Sequence, residues 1–115
     1  MEEQIMLIGQ ISINDVLHIG STEIIEIAGL TNDITGEFVN DATVTLTIKN
    51  PDGSVVLSEY WPMPLSSDDG DYRAIIPDSL ALIQRRAYTI EITANNGTDR
   101  GFWSFVRYAA DRVSK

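Results

Sequence analysis

Proton transfer near neutral pH would fall to one histidine, His18, and to a large set of carboxylates in this 115-residue sequence. His18 lies in Val16-Leu17-His18-Ile19, a strand-like or turn-like stretch with no serine motif nearby. A nucleophile needs its base within hydrogen-bond reach, so His18 is expected as a surface or edge-strand residue rather than a catalyst. The densest carboxylate group is Asp68-Asp69-Gly70-Asp71. Hard cations take several oxygens from a flexible loop, but the spacing departs from the calcium-loop pattern that ends on a distant glutamate. Asp68 and Asp69 are expected instead as turn formers whose side chains bond their own backbone. Asn32-Asp33-Ile34-Thr35-Gly36-Glu37 is read the same way. With 17 acidic residues some pair must lie close by chance, so proximity alone does not argue a glycosidase pair. There is no glycine-rich phosphate loop, zinc-protease motif or nucleophile elbow. The absence of cysteine removes disulfides, thiolate metal sites and a cysteine nucleophile. No catalytic residue, metal or cofactor is expected.

Aromatic residues offer a different chemistry. They gather in Tyr60-Trp61-Pro62-Met63-Pro64 and Phe102-Trp103-Ser104-Phe105. In a strand, Phe102, Ser104, Val106 and Tyr108 share one face, and Trp103, Phe105 and Arg107 the other. One row must fill a core; the other packs under a loop or forms an exposed contact patch. Aromatic side chains and arginine dominate interface hot spots. Trp61, Trp103, Phe105 and Arg107 are therefore candidate interface residues. Ile5 and Leu7, in the apolar run Ile5-Met6-Leu7-Ile8, are candidates for another reason. An unpaired apolar strand is an aggregation hazard, so this one pairs in its own sheet or adds to a neighbour's. Arg112 closes the list, in a tail that could meet an acidic neighbour. Segments 1–8 and 107–115 are thus possible interaction elements.

Charge is unevenly spread. Eight basic against 17 acidic residues give a net charge of −9, which lacks the basic footprint of a nucleic-acid binder. Residues 1–48 hold eight acids and no lysine or arginine, whereas residues 84–115 hold six bases and three acids. The two regions suit head-to-tail docking, or are both simply solvated. No apolar run approaches the roughly 18 residues of a membrane span. Met1-Glu2-Glu3 is acidic where a signal peptide needs positive charge.

Strands must position all these groups. The segment 43–49 alternates Val44, Leu46 and Ile48 with Thr43, Thr45 and Thr47, the period of a half-buried strand. Similar signals mark 5–13, 22–30, 54–65, 71–76, 87–94 and 102–108. Pro62 and Pro64 end the regular pairing of the fourth or put it on an edge. Asp52-Gly53 and Asn96-Gly97 are hairpin signals. Single helical turns are expected at 78–86 and 109–113. About seven short strands at this spacing predict one all-β domain over 1–115, an immunoglobulin-like antiparallel β-sandwich. Asp69-Gly70-Asp71-Tyr72-Arg73-Ala74 has the shape of a tyrosine corner, and Tyr88-Thr89-Ile90 repeats the idea. Ala74 or Ile90 stands where a disulfide-bonded domain would place cysteine.

The order of signals resembles a known group. Asn32-Asp33-Ile34-Thr35-Gly36 leads to Val39-Asn40-Asp41-Ala42-Thr43-Val44-Thr45-Leu46-Thr47-Ile48 and Asn50-Pro51-Asp52-Gly53-Ser54-Val55. Asp69-Gly70-Asp71-Tyr72-Arg73-Ala74-Ile75-Ile76-Pro77 and Ala87-Tyr88-Thr89-Ile90-Glu91-Ile92-Thr93-Ala94 follow. Over about residues 20–106 this resembles small immunoglobulin-like structural proteins of tailed bacteriophages, and more loosely modules of bacterial surface proteins. The resemblance implies a virion component made in the host cytoplasm: a neck, connector, decoration or tail-associated subunit. Its partners would be other virion proteins and copies of itself in a symmetric homo-oligomer, with no nucleic acid and no membrane. The alternative is a free binding module for peptide, carbohydrate or a bacterial surface protein.

Overall fold

Alternating apolar residues put one face of each strand inward, and two sheets close over the result. The computed structural model describes residues 6–57, 60–66, 68–97 and 99–111. Its strands are β1 (Leu7–Ser12), β2 (Val16–Ile19), β3 (Glu23–Asn32), β4 (Thr43–Lys49), β5 (Trp61–Pro62), β6 (Tyr72–Ile76), β7 (Ala87–Asn96) and β8 (Asp99–Asp111). The smaller sheet has the order β1-β3-β6 and the larger β2-β8-β7-β4-β5. Between them lie Ile25, Ile27, Leu46, Ile48, Ile90 and Ile92, all fully buried. Each such side chain removed from water contributes about 1.5–3 kcal/mol. The fold is an immunoglobulin-like β-sandwich, as the strand spacing predicts.

Four details differ from the sequence reading. The described residues form eight strands, because the first apolar run and Val16–Ile19 are separate strands in different sheets. The sandwich is not wholly antiparallel: β2 runs parallel to β8, with Val16 opposite Tyr108 and Ile19 opposite Asp111. Among the described residues, the expected strand over 54–65 shrinks to Trp61–Pro62 plus isolated bridges at Val55 and Leu65. Tyr60, at a φ of 61°, turns the chain just before Trp61, and prolines 62 and 64 cannot donate to a ladder. Neither expected helical turn is present among the described residues. Residues 109–111 extend β8, paired to β2, and the 78–86 stretch makes two turns.

The segment from Trp61 to Ser66 crosses between sheets. Met63 N–H donates to the Val44 carbonyl (2.9 Å), then Arg73 and Ser66 N–H groups bond Pro64 and Asp71 carbonyls. At the other side Met6 bridges to Arg100 of β8 while Leu7 pairs with Asn32 of β3. Both crossings cover sheet edges that would otherwise offer free ladder groups.

Two buried tyrosines pin the loops. The Tyr88 hydroxyl accepts from Ile83 N–H at 2.8 Å, five residues upstream, which makes Tyr88 the corner tyrosine. Tyr72, in the better sequence match, instead donates across the sandwich to the Val39 carbonyl (2.8 Å) and accepts from Ala42 N–H. A tyrosine entering a strand can send its hydroxyl along its own turn or across the fold; the turn sequence alone does not choose.

Candidate protein-interaction surface

Strand β8 decides which aromatic row looks outward. It pairs with β7 so that Trp103 lies opposite Ile92, Phe105 opposite Ile90 and Arg107 opposite Tyr88. The three β7 partners are fully buried, so the row of Trp103, Phe105 and Arg107 faces the core side and is half-buried. Trp103 lies along the strand over Gly101, where an added Cβ would stand 2.8 Å from the indole and 2.7 Å from the Leu7 carbonyl oxygen. Glycine there is the slot that the indole occupies. The Arg107 guanidinium sits 5.1 Å from the Phe105 ring centre, a cation–π contact. Its Nε donates to the Asn14 carbonyl at 3.0 Å, fastening the bend between β1 and β2.

The opposite row forms the surface. Phe102, Val106 and Tyr108 are 58%, 50% and 58% exposed. Beside them β7 presents Thr89, Glu91, Thr93 and Asn95, and β4 presents Thr43, Thr45, Thr47 and Lys49. The Thr45 and Thr93 hydroxyls meet at 3.0 Å, and Lys49 Nζ pairs with Glu91 Oε1 at 2.9 Å. The face is therefore almost uncharged in sum, although the chain carries −9. A shallow groove crosses it, lined by Thr47, Lys49, Tyr60, Glu91, Thr93 and Phe102. Tyr60 and Phe102 flank that groove, with Tyr60 exposed in its left-handed backbone conformation. Two exposed rings above a floor of threonine hydroxyls suit contact with a protein surface: apolar area for affinity, hydroxyls for register.

The other sequence candidates fall elsewhere. Ile5 and Arg112 lie outside the described residues. Leu7 is 2% exposed and belongs to the core, paired within its own chain. Trp61 is half-buried against that core, its Nε1 donating to the Ile75 carbonyl at 3.2 Å. The structure thus brings Trp103, Phe105 and Arg107 onto one inward row and sets Leu7 and Trp61 apart from the exposed stripe. Tyr60, Phe102, Val106 and Tyr108 are the surface residues that were not singled out.

His18 is half-exposed on edge strand β2, its Nδ1 3.6 Å from Oε2 of the buried Glu23. Asn14 Nδ2 donates to both Glu23 oxygens, at 3.2 and 3.4 Å. Glu23 thereby ties β2 and the preceding bend to β3. Asp68 and Asp69 are expected to bond their own backbone; the bonds seen for Asp69 and Asp71 reach other segments. Asp71 accepts from Gly29 N–H (2.8 Å) and Asp69 from the Asn40 amide (3.2 Å), stapling this loop to the end of β3 and the loop after it. No group of three metal-ligating acids or histidines converges among the described residues. In the 32–37 turn, Asn32 Oδ1 accepts from Ile34 and Thr35 N–H groups, as the turn reading expects. Among the described residues, two groups are shifted from their ordinary ranges. The Ser54 hydroxyl and N–H hold Asp52 below the usual carboxylate value. Burial, with the nearby Asp41 charge, pushes Tyr72 above the usual phenol value.

The fold and its surface define an immunoglobulin-like module whose exposed sheet face is its main chemical feature. No family model and no curated protein matches the chain. Among solved structures, a chimeric titin Z1Z2 functionalized with an exogenous KLER peptide from decorin aligns with a TM-score of 0.49 and 14% identity. That alignment covers 95% of this chain and 97% of the titin chain. A β-glucuronidase from Parabacteroides merdae aligns at a TM-score of 0.50 and 17% identity, over 92% of this chain but 14% of the enzyme. The second likeness is one of fold alone, to a small part of a much longer protein.

Proposed function

We propose that this chain is a non-enzymatic structural subunit of a bacteriophage particle that works through protein–protein contacts. The observation that carries the contact role is the exposed row Phe102, Val106 and Tyr108 on a strand whose other row faces the core. An apolar stripe on a nearly neutral face of an acidic protein is where a partner meets the least charge repulsion. The virion setting is supported by the resemblance in turn and strand order over about residues 20–106.

Mass spectrometry of purified particles from the genome that encodes the chain tests the setting. The chain is expected in fixed ratio to the major capsid protein, and portal, capsid or tail genes are expected beside its own. Recovery only in the soluble fraction, among unrelated genes, would overturn the virion reading and favour a free binding module. A Phe102→Asp/Tyr108→Asp variant tests the surface: it is expected to fold normally and to be lost from particles. Undiminished incorporation would move the contact elsewhere.

A further inference from the structure

The strand directions place very different chemistry at the two ends of the sandwich. Strand β3 ends, and β4, β6 and β8 begin, at one end. Exposed Asp33, Glu37, Asp41, Asp68 and Asp69 gather there, with Asp99 and a single base, Arg100. The hydrogen bond between Asn40 and Asp69 and that from Gly70 N–H to Asn40 Oδ1 (2.7 Å) hold the two acidic loops together. An open cleft at this end is lined by Thr35, Glu37, Phe38, Asp41, Asn96 and Asp99. The Phe38 ring is 56% exposed, as is Ile34.

The other end carries the 83–86 turn, with Ile83, Gln84, Arg85 and Arg86 all exposed. The Arg86 guanidinium donates to Asn50 Oδ1 at 3.4 Å and lies near Asp52, and Asp78 is exposed at the same end. Arg85 has a φ of 70°, a left-handed conformation that side-chain-bearing residues adopt only when their surroundings impose it. Four bonds impose it here. Arg85 N–H donates to the Ala109 carbonyl (2.7 Å), and Ala109 N–H returns to Arg86 (3.0 Å). Arg86 N–H closes the turn on Ile83 (3.1 Å), and Ile83 N–H is held by the Tyr88 hydroxyl (2.8 Å). Two guanidinium groups and an isoleucine are thus presented on a rigid, strained turn. Little ordering entropy remains to be lost when such an element binds.

We propose that copies of this chain associate head to tail, the 83–86 turn of one copy seating in the acidic cleft of the next. The inference rests on the reading of the chain as an assembling subunit and names the partner as the chain itself. Charge complementarity selects that partner. Arg85 and Arg86 meet Glu37 and Asp41, and Ile83 meets the exposed rim of Phe38 and Ile34. A guanidinium over the Phe38 ring adds a cation–π contact. The net repulsion between chains of −9 is screened beyond about 8 Å at physiological salt, so the local pairing decides. A contact between unlike ends propagates into rows or closes into a ring.

Charge reversal provides the test. Sedimentation of the full chain up to millimolar concentration is expected to show mass rising with concentration. Arg85→Glu/Arg86→Glu and Glu37→Arg/Asp41→Arg should each weaken association by about tenfold or more, since like charges then face each other. Mixed in equal amounts, the two variants should associate again, because each restores the complement of the other. Arg86→Glu alone, which leaves the left-handed position unchanged, serves if the double variant fails to fold. A monomeric wild type, variants that associate as well as wild type, or a mixture that stays monomeric would each overturn the proposal. A chain absent from particles defeats the structural-subunit reading. A chain present in particles yet monomeric in solution defeats only the head-to-tail contact.

Discussion

The two rows of β8 are built from the same residue types and meet opposite fates. Trp103 and Phe105 face buried isoleucines of β7; Phe102 and Val106 lie opposite Thr93 and Thr89, and Tyr108 lies between Ala87 of β7 and Val16 of β2, all three largely in water. Composition does not distinguish the rows. The partner strand does: β7 is apolar on one row and polar on the other, and pairing transfers that asymmetry to β8. An aromatic residue is therefore core or surface according to what lies across the ladder.

Substitutions in the two rows should separate sharply. The largest loss is expected for Ile90→Ala, about 3 kcal/mol, because a fully buried side chain leaves a cavity. Trp103→Ala should cost about 2 kcal/mol in denaturant unfolding, less than for a wholly enclosed indole, since this one is half-buried. If Trp103→Ala is instead neutral for stability and damages association, the assignment of the rows is reversed. Tyr72→Phe removes a buried hydroxyl from its two backbone partners and should cost about 1–2 kcal/mol at neutral pH. Because folding raises the Tyr72 pKa, its contribution is fully present below the ordinary phenol value of about 10 and is lost as pH rises through the folded-state value. Thermal midpoints of wild type should therefore fall at alkaline pH more steeply than those of Tyr72→Phe. The smallest effect belongs to the outer row: Phe102→Asp should change stability by no more than about 0.5 kcal/mol. A larger loss would mean that the ring packs against the chain's own residues.

Much of this was legible in the sequence. The alternation in 43–49, 71–76 and 87–94 located β4, β6 and β7, and with them most of the core. The choice between the two rows of β8 stayed open in the sequence, because it depends on the register of the ladder. That ladder closes with Asn96 opposite Asp99 and so pairs even-numbered with odd-numbered residues, which puts Trp103, Phe105 and Arg107 opposite inward Ile92, Ile90 and Tyr88. Gly97 alone carries the positive φ there among the described residues, at 70°. Other features depend on contacts distant in sequence. Nothing local in Val16–Ile19 announces a parallel partner some ninety residues on. Val55, Val56 and Leu57 look like a strand, but only Val55 is bridged, to Lys49, and the Val56 and Leu57 N–H groups both turn to the Ile48 carbonyl. The acidic end was visible as a bias in the first 48 residues, but its union with Asp68 and Asp69 required the fold.

The parallel seam between β2 and β8 has a mechanical consequence. The first described residues start at one end of the sandwich, and β8 finishes at the other. Tension drawn between those extremities slides β1 along β3 and β2 along β8, so each ladder resists as a block instead of unzipping rung by rung.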